Sequence, residues 1–146
     1  MADRDQILQM IDDIYTARAA GDRDTLAKCW ASDASLRIAG RMDLASGGRV
    51  PHGKGNANEN VSALIDLFQF HDLKRLHAVV EGDTAAVHWH LRVSSGGGEP
   101  VDTEIYDLWK VGPDGKICSL VQFVDTALMK HLLDGEAQKL EMTIPA

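Results

Sequence analysis

The strongest chemical signal lies between Val101 and Val111, where side chains alternate in character with period two. Val101, Thr103, Ile105, Asp107 and Trp109 share one parity; Asp102, Glu104, Tyr106, Leu108 and Lys110 share the other. In a strand these sets point to opposite faces. Asp107 is then the one ionisable group on an otherwise largely apolar inward stripe. A carboxyl there is costly unless it is paired or protonated. Desolvation raises its pKa, and a carboxyl kept neutral near pH 7 can donate a hydrogen bond or act as an acid. Asp107 is therefore a candidate catalytic residue. The plainer reading is an Asp near the open end of a sheet, solvated or bonded to backbone.

Other constellations carry less. His88-Trp89-His90 sets two imidazoles about 7 Å apart on one strand face, but on the outward parity and without a third ligand, so no metal site is expected. His52 lies in a loop before a helix, near an expected pocket mouth, and an imidazole titrating at ~6.5 suits a general base. A loop histidine with no role competes with that reading. The segment from Gly48 to Gly55 is a near miss to a phosphate loop, with Gly55 where Ser or Thr would hold magnesium. There is no G-x-S-x-G nucleophile elbow. Cys118 has no activating partner in sequence. Trp30, Trp89 and Trp109 suit a core or a pocket wall.

The elements that must position these residues follow from periodicity. Ile7, Leu8, Ile11, Ile14 and Tyr15 form a helical stripe, with Asp3 and Gln6 as a capping box and Gly21 as the stop. Asp22 caps a second short helix running to Trp30. A short strand is predicted over 34–39 and a loop over 40–55, which holds five glycines. Asn56 or Asn58 caps a third helix. Strands are predicted over 73–80, 84–94, 101–111 and 116–124, joined by Gly-rich turns into a four-strand antiparallel meander. The last strand is apolar on both parities, so its facing is open. Asp125 caps a closing helix through Leu133, stopped by Gly135. Residues 136–146 carry little signal. Helices followed by an antiparallel meander predict an α+β fold.

The chain of 146 residues suits one domain, 1–146, without internal repeats. Its formal charge of −7 argues against a nucleic-acid surface. No apolar run is long enough for a membrane span. The N-terminal residues show no signal-peptide pattern. Two cysteines are too few for a disulfide framework, so the expected location is cytoplasmic.

The ordered motifs resemble the nuclear transport factor 2-like superfamily, in particular ketosteroid isomerases and SnoaL-like polyketide cyclases. They are Tyr15-Thr16-Ala17-Arg18-Ala19-Ala20-Gly21-Asp22, Trp30-Ala31-Ser32-Asp33, Pro51-His52-Gly53, Tyr106-Asp107-Leu108-Trp109 with Gly112-Pro113-Asp114-Gly115, and Phe123-Val124-Asp125. The resemblance runs from about Ile7 to Leu133. It implies a cystatin-like cone, with a curved antiparallel sheet wrapped around three N-terminal helices and a short C-terminal helix.

Asp107 falls where ketosteroid isomerases keep a protonated acid in the oxyanion hole. Tyr15 resembles the isomerase tyrosine, one residue closer to the Gly21-Asp22 turn. The isomerase base maps to about Ile38. The catalytic Asp of SnoaL-like cyclases and limonene epoxide hydrolases maps to Gln122. The implied activity is cofactor-free acid–base chemistry, of isomerase, cyclase or dehydratase type, on a small hydrophobic molecule. Asp107, Tyr15 and His52 would be catalytic; Trp30, Trp89, Leu91, Trp109, Cys118, Leu120 and Gln122 would bind substrate. The alternative is a non-catalytic binding or dimerisation module.

Two structural expectations complete the reading. Pairing around residues 112–115 predicts Asp107 opposite Leu120, with Cys118 and Gln122 diagonal. The outer face carries Tyr106, Leu108, Val121 and Phe123 among His88, His90 and Arg92, and predicts a homodimer.

Overall fold

The computed structural model describes residues 3–50 and 56–143, with side chains through residue 135. Helix α1 (Arg4–Ala20) begins at the Asp3–Gln6 capping box and ends at Gly21, whose φ of 70° is the left-handed conformation glycine adopts freely. It buries Ile7, Leu8, Ile11, Ile14, Tyr15 and Arg18 along one face. Asp22 accepts from the Thr25 N–H and starts α2 (Arg23–Cys29). Strand β1 (Trp30–Ile38) follows directly, longer than its apolar core over 34–39 predicts. The predicted loop contains one helical turn, α3 (Met42–Ala45). Asn56, rather than Asn58, caps α4 (Ala57–Leu67) by accepting from the Glu59 N–H.

The strands β2 (Gln69–Glu81), β3 (Thr84–Ser94), β4 (Val101–Val111) and β5 (Ile117–Phe123) form the expected meander. The sheet has five strands, not four, in the order β1-β5-β4-β3-β2. Strand β1 joins the free edge of β5 in parallel, pairing Leu36 with Leu120 and Ile38 with Gln122. This long-range pairing covers an edge that would otherwise expose unpaired backbone groups.

The sheet is curved and unclosed. In β2 the pairing register with β3 shifts twice, between His71 and Lys74 and between Arg75 and His77. Asp72 lies within the first of these shifts at φ 50°, a left-handed conformation that Asp tolerates better than most residues. Such irregularities bend a strand and increase its twist. The bend sets Phe70 against Tyr15, with ring centroids 6.3 Å apart.

Alternation sorts the faces as predicted. Ala85, Val87, Trp89, Leu91 and Val93 are buried on β3, and Thr103, Ile105, Asp107, Trp109 and Val111 on β4. Each fully buried apolar side chain contributes about 1.5–3 kcal/mol. On β5 the open question resolves to Leu120 and Gln122 inward, with Val121 and Phe123 outward. The closing helix α5 (Thr126–Thr143) runs past Gly135 instead of stopping there. A mid-helix glycine costs only ~1 kcal/mol and does not itself end a helix. Among the described residues, no helix is long and apolar enough to cross a membrane.

Candidate active site

Asp107 is fully buried at the centre of the sheet's concave face, at 0% exposure. Its cross-strand partner is Gln122, not Leu120, which pairs with Trp109. The β4–β5 register shifts between Lys110 and Val111, beside the turn in which the Gly112 N–H donates to the Lys116 carbonyl. That irregularity is invisible to counting from the glycines and moves Gln122 from the diagonal to the direct position.

Three side chains from three elements meet here. The Tyr15 hydroxyl, delivered by α1, donates to Asp107 Oδ2. The Gln122 amide Nε2 donates to the Tyr15 oxygen at 2.9 Å. Around them pack Trp89, 4.3 Å from the Tyr15 ring, and Trp109, edge-on to it at 6.0 Å. Trp30 stacks on the far side of Trp109 at 6.1 Å. Among the described residues, Tyr15 alone is hydrogen-bonded to the Asp107 carboxyl. Its Oδ1 and the indole Nε1 atoms of Trp30, Trp89 and Trp109 are buried without partners.

Burial sets the electrostatics. It pushes the Asp107 carboxyl up from 3.8 to about 7, while the facing donors of Tyr15, Gln122, Trp89 and Trp109 pull it partly back. Burial also raises the Tyr15 phenol well above 10, helped by the neighbouring carboxylate and its hydrogen bond. The phenol therefore keeps its proton at neutral pH, and the carboxyl is the group that titrates there.

Among the described residues, two small chambers lie inside the cone. One, of about 30 Å³, is lined by residues including Tyr15, Trp30, Trp109, Leu120 and Gln122. The second, of about 10 Å³, is lined by Ile38, Met42, Ile105 and Met129 among others. Arg18, Leu64, Phe70 and Gln122 border both. Ile38, at the expected base position, is thus an apolar wall residue.

The predicted set divides in position. Tyr15, Trp30, Trp109, Leu120 and Gln122 line the first chamber. Asp107 does not; it is sealed behind Tyr15. Trp89 instead borders an open groove with Asp12 and Arg75. Leu91 is core at 0% exposure, and Cys118 is half-buried beside Gly112 without lining either chamber. His52 lies outside the described residues. His88 and His90 sit on the outer face, facing Glu104 at 2.9 Å and Asp102 at 3.6 Å. Among the described residues no three His, Cys, Asp or Glu side chains cluster as metal ligands.

Sequence reasoning missed Arg18. The signal was present: Ile7, Ile11, Ile14 and Arg18 fall at i, i+4, i+7 and i+11, so position 18 continues the buried stripe.

The comparisons with known proteins agree with this architecture. The family model of the SnoaL-like domain matches residues 11–120, most of the chain. The chain belongs to the SnoaL-like family, within the nuclear transport factor 2-like superfamily. No curated protein matches it. Among solved structures, a candidate isomerase from Rhodopseudomonas palustris aligns with a TM-score of 0.73 at 14% identity, over 92% of this chain and 99% of that one. A candidate SnoaL-like polyketide cyclase from Jannaschia aligns at 0.66 and 17%, over 91% and 98%. An epoxide hydrolase of limonene epoxide hydrolase type from M. tuberculosis aligns at 0.66 and 13%, over 95% and 97%. At such identities the likeness is one of fold.

Proposed function

We propose that this SnoaL-like protein is a cofactor-free acid–base enzyme, of isomerase, cyclase or dehydratase type, acting on a small hydrophobic molecule within the cone. The observation that carries this reading is the hydrogen-bonded chain from sealed Asp107 through Tyr15 to Gln122 at the chamber wall. Tyr15 is the group that meets the substrate; Asp107 acts through it. Protonated Asp107 donates to the Tyr15 oxygen, which frees the Tyr15 O–H to donate to a substrate oxygen. Completing the transfer moves one proton from Asp107 to Tyr15 and one from Tyr15 to the substrate, leaving a carboxylate that is reprotonated before the next cycle. Once Asp107 is ionised it holds the Tyr15 proton for itself. With Asp107 titrating at about 7, activity falls as pH rises through that value.

A second reading, a binding module without chemistry, draws support from the linings: among the described residues, no carboxylate lines either chamber. Turnover and binding assays on enones, polyketides and hydroxy-steroids separate the two. Turnover that Tyr15→Phe removes while binding persists supports the enzyme. Binding without turnover by the unaltered protein supports the module.

We further propose that the outer sheet face pairs with a second copy. Tyr106, Leu108 and Phe123 are 43%, 44% and 52% exposed there. Arg92 and Asp102 on the same face give a two-fold pairing both signs of charge. The two free cysteines suit a reducing compartment such as the cytoplasm.

A further inference from the structure

Arg18 is a cation inside an apolar cone. It follows Tyr15 by three residues on α1, so the two side chains share a face one helical turn apart. The residue is only 6% exposed. Its Nη2 donates to the Leu64 carbonyl at 3.0 Å and the Phe68 carbonyl at 2.8 Å. Its Cζ lies 4.0 Å over the Phe70 ring. All of these partners are neutral. The two carbonyls belong to the end of α4, so one nitrogen of the guanidinium ties that helix end to α1. Nε and Nη1 carry the other three N–H groups, and none has an acceptor among the described residues. Arg18 borders both chambers and shares that position with Gln122.

A buried charge is stable when an opposite charge meets it, and among the described residues no carboxylate meets Arg18. Burial lowers the Arg18 pKa only to about 10, so the guanidinium stays charged at neutral pH. A carboxylate matches its single charge and uses donors that α4 leaves free. A phosphate dianion would ask for more charge and more donors than one guanidinium offers.

We infer that Arg18 is a carboxylate-binding residue, and that the substrate is an apolar oxo- or hydroxy-carboxylic acid. Its carboxylate meets Nε and Nη1 of Arg18, and its reacting oxygen meets Tyr15 one turn away. This rests on reading the cone as a small-molecule pocket. The chambers are small, so the ligand displaces apolar side chains that border both, Leu64 and Phe70, and leaves the Gln122–Tyr15 bond in place.

The test is a matched pair of probes, octanoate and octanamide, alike in shape and different in charge. Binding is followed at pH 7 by tryptophan fluorescence, since Trp30 and Trp109 line the first chamber. Octanoate binds roughly tenfold tighter than octanamide. Arg18→Gln brings the two affinities together, and Arg18→Lys, which keeps the charge, retains most of the preference. Because Arg18 also holds α4, a second readout uses the unaltered protein: octanoate shifts the Arg18 Nε–H resonance and octanamide leaves it in place. Equal affinities, a folded Arg18→Gln variant that keeps the preference, or an unmoved Nε–H signal with octanoate bound each overturn the inference and leave the pocket reading standing. Binding of neither probe overturns both.

Discussion

On β4, Glu104 and Asp107 are three residues apart and point to opposite faces of the sheet. The Glu104 side chain is 61% exposed and meets His88 at 2.9 Å, in a solvated pair worth about 0–1 kcal/mol. Asp107 is at 0% exposure among tryptophans, hydrogen-bonded to Tyr15, with a pKa raised to about 7. The chemical group is the same. Strand parity alone decides which carboxyl is buried and pushed up to about 7 and which lies at the solvated surface. A one-residue slip in register would exchange their environments.

The contrast breaks most forcefully if water is let in on one side. Trp109 is 1% exposed and packs between Trp30 and Tyr15. Trp109→Ala is expected to lower unfolding free energy by about 3–5 kcal/mol, from lost burial and the cavity left behind. Hydration then brings the Asp107 pKa down from about 7 toward 3.8, while the outer His88–Glu104 pair is unchanged. Denaturant unfolding and a carboxyl NMR titration measure the two effects. A stable variant with an unmoved Asp107 titration would show that Trp109 is not what keeps that carboxyl dry.

A smaller effect, with a sign that depends on pH, comes from replacing the carboxyl itself. Asp107 has a raised folded pKa, so the unfolded chain releases its proton first as pH increases. Its contribution to stability is intact below pH 3.8 and is lost as pH rises to about 7. A rise of that size corresponds to roughly 4 kcal/mol. Asn carries no charge, but its amide N–H₂ faces the Trp89 and Trp109 donors and forgoes about 1–3 kcal/mol of that gain. Asp107→Asn should thus be more stable than the unaltered protein by about 1–3 kcal/mol near pH 8 and less stable than it by about 1–3 kcal/mol near pH 4, where the carboxyl is neutral and only the amide's mismatch with the two donors remains. Urea unfolding at the two pH values checks this. A variant less stable at the higher pH would mean that Asp107 is held as a carboxylate.

These residues also mark what the sequence made legible. Parity on β3 and β4 exposed the inward position of Asp107, because alternation is a local property that survives any tertiary arrangement. The capping box at Asp3 and the stop at Gly21 were legible for the same reason. The Gln122 pairing was not, because the irregularity at Lys110 and Val111 arises from how β5 leaves its turn. Nor was the pairing of β1 with β5, which joins segments about eighty residues apart in the chain and leaves no local trace. Arg18 was passed over because arginine on an amphipathic helix ordinarily marks the solvent side. Its place on the Ile7–Ile11–Ile14 stripe outweighed its residue type. The separation of Asp107 from the chamber depends on the Tyr15 side chain lying across it, a consequence of how α1 packs on the sheet that leaves no local trace.

The smallest effect on the folded chain belongs to the outer face, and it sharpens the comparison from the other side. Leu108 neighbours Asp107 in sequence, points outward, and is 44% exposed. It pairs across the sheet with Val121 and Ala86, so a long polar side chain there projects away from the sheet without disturbing the core. Leu108→Lys should change the stability of the isolated chain by no more than about 0.5 kcal/mol. If the outer face pairs two copies, however, the same change places two lysines near a two-fold axis and removes apolar area from the centre of the contact. Light scattering at micromolar concentration should give a dimer mass for the unaltered protein and a monomer mass for the variant, with matching circular dichroism. The Asp107 titration should be the same in both, since the sheet's own thickness separates that carboxyl from the replaced side chain. A monomer mass for the unaltered protein would end the dimer proposal and leave the inner site as argued. A shift of the Asp107 pKa on Leu108→Lys would show that the two faces are coupled through the strand.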